Sequence, residues 1–143
     1  MYMLQFIIAW LISVITMTLF SVVVNWFSKY EVREYVLLKW LIDRYPSLPE
    51  APLYIGWVVH FCFGLGFMFI FEGLWVITPN YKTVLWGLAV GGFMGLLGIV
   101  GWMAMFYLHP RKPNINFTLY YVQLFFAHII FSITAFGIYK SFE

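Results

Sequence analysis

Charged residues are the scarcest class in this chain, only 10% of 143, where ordinary soluble domains carry about a quarter. That shortage excludes a water-soluble globule with an average surface. Because no run of lysine or arginine is longer than Arg111-Lys112, it also argues against a nucleic-acid patch, and nucleic acid is not an expected partner. Cysteine is nearly absent too. Cys62 stands alone inside an apolar run, so it forms no intrachain disulfide and reads as a small apolar filler. Extended polar segments are missing as well: none between the apolar runs exceeds about 25 residues, too short for a second core. The chain also lacks a CxxC, an HExxH, a GxSxG, a P-loop and a dinucleotide-binding glycine pattern, so nucleophilic and metal-hydrolase chemistry have no support and no enzyme is expected.

What the chain has instead is apolar length. The stretches Gln5 to Phe27, Leu53 to Thr78, Thr83 to Leu108 and Phe117 to Tyr139 are each long enough, at 1.5 Å per residue, to cross a hydrocarbon core about 30 Å thick. In lipid the backbone satisfies its own hydrogen bonds only as helix or closed barrel, and these runs lack the alternation of barrel strands. The expected fold is therefore all-α: an integral membrane four-helix transmembrane bundle, a single domain over residues 1–143. Met1-Tyr2-Met3 supplies no basic leader and no small-x-small cleavage site follows the first run, so that span is expected to be retained. Lys29, Arg33, Lys39, Arg44, Arg111 and Lys112 fall on one side of the spans, Lys82 and Lys140 on the other. The positive-inside rule then puts both termini outside the cytoplasm.

Between the first two spans, Tyr30 to Tyr45 reads as an interfacial amphipathic helix. Tyr35, Trp40, Leu41 and Tyr45 are interrupted by Arg33, Glu34, Lys39 and Asp43, a pattern that suits the membrane surface. Pro46, Pro49 and Pro52 then end it and prepare the second span. On the first span, Thr18, Ser21 and Asn25 recur at helical spacing and are expected to face other helices. The third span carries Gly87, Gly91, Gly95 and Gly98 in small-xxx-small spacing, which lets another backbone approach closely. That places the third span at the bundle centre, or makes its face a dimerisation surface. His109, before Pro110, reads as a helix-terminal interfacial residue favoured by the dipole.

Three ionisable residues lie within spans: His60, Glu72 and His128. A charge at the bilayer centre costs about 2.5–3.5 kcal/mol on insertion scales, so such groups are rare and often functional. His60-Phe61-Cys62-Phe63-Gly64 and His128-Ile129-Ile130-Phe131-Ser132 share histidine, then phenylalanine three residues on, then a small residue. This is a weak internal repeat of parallel halves. Two facing histidines in a bundle can hold haem iron, or another metal, with Gly56 and Gly64 leaving room for a ring. The competing reading is that both are packing histidines bonded to neighbours. Glu72 reads as an interfacial carboxylate paired with Lys82, or as the coupling group of a small oligomeric transporter.

Taken as a set, Ile55-Gly56-Trp57-Val58-Val59-His60-Phe61, Gly98-Ile99-Val100-Gly101-Trp102, Leu108-His109-Pro110, Gln123-Leu124-Phe125-Phe126-Ala127-His128 and Ile15-Thr16-Met17-Thr18-Leu19-Phe20-Ser21 resemble a family of small four-span bacterial membrane proteins of unknown function, of the Bacteroidota type. The resemblance implies a bacterial inner-membrane location and no activity. The expected role is a non-enzymatic subunit or scaffold in the lipid bilayer. It would pack as a homo-oligomer or into a larger membrane complex through the glycine-rich face.

Overall fold

A computed structural model of the chain describes residues 2–43, 49–79 and 82–143. Met1, Arg44, Tyr45 and Pro46, which entered the leader, charge and helix-boundary readings above, lie outside the described residues. Among the described residues the regular structure is helical: α1 (Tyr2–Phe27), α2 (Glu34–Asp43), α3 (Leu53–Ile77), α4 (Val84–Leu108) and α5 (Phe117–Ser141). The four long ones have the length and apolarity to cross a membrane, and their ends fall within three residues of the expected spans. The protein is a multi-pass membrane bundle.

Local chemistry sets these ends. Pro52, at φ −67°, stands immediately before α3, where a missing N–H costs nothing. The Thr83 and Asn116 side chains accept from Trp86 N and Leu119 N, capping α4 and α5 and satisfying donors that a helix start leaves orphaned. The termini share one end of the bundle with the α3–α4 turn. There Gln5 Nε2 donates to Tyr139 O at 3.5 Å, and Lys82 pairs with Glu143 at 3.4 Å.

The long helices pack in the order α4, α5, α1, α3, and α2 lies on α3. The most extensive packing therefore belongs to α5, which lies between α4 and α1, while the glycine-rich α4 packs chiefly on α5. The reason is that the glycine stripe is one-sided: a Cβ at Gly91 would sit 2.7 Å from Ile129 Cα, and one at Gly95 3.1 Å from the Phe125 carbonyl. Gly87 and Gly98 meet Ile133 and His128 in the same way. All four glycines serve one contact, with α5, inside this chain.

Two cores follow. At the terminal end, Met68, Phe71, Trp75, Met94, Phe131, Ala135 and Tyr139 pack together, and the Trp75 and Trp86 rings join α3 to α4 with centroids 5.5 Å apart. Toward the other end, Leu37, Leu38 and Leu41 of α2 pack against Trp102, Phe106, Tyr120 and Leu124. A second set of contacts fixes α2 there: Tyr35 stacks on Trp57 at 4.1 Å, and His109 Nε2 meets the Leu41 carbonyl at 3.2 Å. His109 is thus buried and ties the end of α4 to α2, besides terminating the helix as expected.

The helix after the first span is present but shorter than expected, beginning at Glu34 rather than Tyr30. Its polar residues divide. Lys39 and Asp43 pair with each other toward the outside, whereas Glu34, read from the sequence as part of a polar face, is 2% exposed and enters the bundle.

Candidate functional site

Between α3 and α4, on the α2 side of the Trp75–Trp86 contact, the helices leave a cavity of about 140 Å³. Its inner wall holds His60 from α3, His128 from α5 and Glu34 from α2, with Gly98, Gly101 and Trp102 of α4 opposite. Phe63, Leu97 and Gly101, all exposed, form the rim. The opening therefore faces sideways out of the bundle, toward the lipid phase, and not along its axis.

The structure brings His60 and His128 to one cavity. Their hydrogen bonds differ. Thr18 Oγ1 donates to the Val14 carbonyl at 2.7 Å and lies 2.9 Å from His60 Nε2. With the hydroxyl proton so engaged, Nε2–H of His60 is the donor to Thr18. His128 Nδ1 lies 2.8 Å from the Leu124 carbonyl, which can only accept. In the neutral ring this leaves the lone pair on Nε2, against the bare backbone of Gly98, where a Cβ would come within 3.0 Å of that nitrogen. Phe67 closes on the same imidazole edge-on at 4.5 Å.

Glu34 completes the inner wall. Its Oε1 accepts from Ser21 Oγ at 2.8 Å and from Gln123 Nε2 at 2.9 Å, while Oε2 is buried and finds no hydrogen-bond partner among the described residues. Burial pushes this carboxyl above its ordinary range, against the pull of the Gln123 and Ser21 bonds and helped by the nearby Glu31 charge. Desolvation of the charged form is the dominant cause. The stripe Thr18, Ser21 and Asn25 does face other elements as expected: Thr18 holds His60, Ser21 holds Glu34, and Asn25 accepts from Val32 N at 3.1 Å.

The remaining sequence candidates lie elsewhere. Glu72 is far along α3 and accepts a hydrogen bond from Tyr139 OH. Its expected partner Lys82 instead pairs with Glu143 and lies 4.2 Å over the Trp75 ring. Gly56 leaves no room for a ring, because a Cβ there would lie 2.1 Å from the Tyr35 carbonyl. Its role is to let α2 lie on α3. Gly64 lines the cavity but abuts Val14 of α1, 2.3 Å from a built Cβ. Cys62 is exposed on the outer side of α3 and fills no core. Among the described residues no three His, Cys, Asp or Glu side chains converge as a metal cage. Sequence reasoning missed Glu34 and Gln123 as site residues, although Glu34 shares a helical stripe with Leu37, Leu38 and Leu41.

Comparison with protein-family models, with curated proteins and with solved structures returns no match. No enzyme family is therefore identified, and the chemistry of the site rests on its own residues.

Proposed function

We propose that the protein is a small non-enzymatic membrane subunit that receives an apolar small molecule from the lipid phase into the cavity between α3 and α4. One observation carries this reading: a cavity of about 140 Å³ opens sideways and ends on three polar side chains, His60, His128 and Glu34. An engineered protein cavity of about 150 Å³ binds benzene, so the space matches one ring of a ligand whose remainder lies in the bilayer. Self-association through the glycine face has lost its support, since α5 covers Gly87, Gly91, Gly95 and Gly98. A homo-oligomer or larger complex would use other faces. The inner-membrane location and outward termini rest on the lysine and arginine count and on the family resemblance.

Gly101 offers the direct test. It lines the cavity and a Cβ added there meets nothing within 4 Å, so Gly101→Leu fills the space without disturbing the fold. Protein extracted in mild detergent and examined by native mass spectrometry should carry one co-purifying apolar molecule, lost in Gly101→Leu and kept in Gly73→Leu, whose site is also open. Identical spectra for wild type and Gly101→Leu refute the proposal.

A haem centre on His60 and His128 has one favourable feature, the shared cavity, and one adverse one. A porphyrin is several rings across, and the space admits one, so α3 and α4 would have to part. A Soret band in the purified protein, abolished by His60→Ala, would reverse this judgement. Transport coupled to Glu72 draws no support from the cavity between α3 and α4, whose lining does not include that carboxylate.

A further inference from the structure

We infer that the cavity selects a neutral hydroxylated aromatic ring on a single apolar tail, a ligand of the hydroquinone class. This deepens the function proposed above and rests on it. Three features of the site choose the class. The space is that of one six-membered ring, and its walls suit a flat one: Phe67 and Trp102 face it from two helices, while Gly98 and Gly101 present backbone without side chains.

The inner end carries a complementary pair. His128 Nε2 is an acceptor, because Nδ1 is committed to the Leu124 carbonyl. Glu34 is the other member: its Oε1 accepts from Gln123 Nε2, which leaves Oε2, without a partner among the described residues, as the oxygen to carry the proton of the neutral acid. A buried polar group without a partner is costly, and a phenolic hydroxyl answers both needs, accepting from Glu34 and donating to His128. Third, among the described residues no lysine or arginine lines the cavity, so a phosphate or carboxylate head has no counter-charge from them. Burial raises the Glu34 pKa, which removes the anion that an ammonium head would need. The tail leaves over Phe63 and Leu97 between α3 and α4.

The test uses detergent-purified full-length protein and three probes of equal tail length: decylhydroquinone, decylbenzene and decyl phosphate, with occupancy read by native mass spectrometry. Wild type should bind decylhydroquinone at one per chain, about tenfold more tightly than decylbenzene, the equivalent of one net hydrogen bond. Decyl phosphate should not compete. Glu34→Met and His128→Phe should each bring the hydroquinone down toward the decylbenzene value, while Gly101→Phe should exclude all three. If Glu34→Met fails to fold, His128→Phe carries the same comparison, since it keeps a ring against Phe67. Equal binding of decylhydroquinone and decylbenzene, or competition by decyl phosphate, overturns the inference and leaves the lipid-phase receptor standing. Binding of none of the probes, with Gly101→Phe indistinguishable from wild type, overturns both.

Discussion

Replacing Gly56 by alanine should undock α2 and, with it, dismantle the floor of the cavity. The built Cβ lies 2.1 Å from the Tyr35 carbonyl and 3.2 Å from Lys39 Cβ. The first clash is with backbone, so no rotamer change relieves it and α2 must retreat by about 1 Å, to the shortest separation real Cβ atoms show. Overpacking of this kind costs about 1–3 kcal/mol. The upper part of that range is expected, because the retreat also weakens the Tyr35–Trp57 stack at 4.1 Å, worth about 0.5–1.5 kcal/mol. Gly66 is the control: it lies in the same helix with nothing within 4 Å of its built Cβ, so the gain in helix propensity, about 1 kcal/mol, roughly cancels between the two. Reversible unfolding in mixed micelles should place Gly56→Ala about 2–3 kcal/mol below Gly66→Ala. Amide exchange across Glu34–Asp43 should quicken in Gly56→Ala alone. Equal stabilities with unchanged exchange in α2 would refute the docking argument.

The same contacts yield further expectations. Because burial holds the Glu34 carboxyl above its ordinary 4.5, the folded state keeps a proton that the unfolded chain has lost, and stability declines as pH climbs above about 4.5 until the folded group ionises too. The stability of wild type relative to Glu34→Gln should therefore fall with rising pH over that window, and a difference independent of pH contradicts it. Gly98→Ala would bring a methyl to 2.7 Å from His128 Cε1. Its cost should shrink by about 1 kcal/mol or more when His128 is also alanine, and strict additivity in a double-mutant cycle defeats that. Cysteine reporters at Glu143 and at Lys112, in a Cys62→Ala background, should label from opposite membrane faces, the first from outside the cytoplasm; labelling from one face rejects the orientation.

Much of the fold is legible in the sequence because it is a local sum. Apolarity integrated over some 20 residues marks a span wherever its neighbours lie, and the i, i+3, i+4 recurrence of Thr18, Ser21 and Asn25 marks an inward face. Small-xxx-small spacing on α4 says that a backbone approaches closely, but it names no partner. That partner is α5, a fact that the spacing alone does not contain. Glu34 was less accessible. A carboxylate on a ten-residue helix beside Arg33 and Lys39 looks like part of a solvated face, and its burial depends on a tertiary fact, the fit of the Tyr35 carbonyl over Gly56. A signal existed nonetheless, since Glu34, Leu37, Leu38 and Leu41 recur at i, i+3, i+4 and i+7. Glu72 shows the converse: proximity in sequence suggested Lys82, while the α3–α5 contact supplies Tyr139.

The histidine repeat explains why only one of the two residues is free to act. If the halves correspond, α1 matches α4 and α3 matches α5, so the contact equivalent to α1 against α5 is α4 against α3. The first is closely packed and the second is sparse away from its tryptophans, and the cavity lies in that difference. The adjoining helices differ in kind as well. On α1, Thr18 answers His60, whereas on α4 the residue against His128 is Gly98, which has no side chain to offer. Among the described residues His60 is accordingly hydrogen-bonded across a helix boundary and His128 only to its own helix. Truncating the first removes an interhelical bond, on the order of 0.6 kcal/mol, plus the packing of a buried ring, and should lower stability while sparing discrimination between hydroquinone and hydrocarbon. His128→Phe keeps the ring, so it should leave unfolding nearly unchanged and abolish discrimination. Should the two variants trade these effects, the asymmetry drawn from Thr18 and Gly98 is wrong, and His60 would be the residue that meets the ligand.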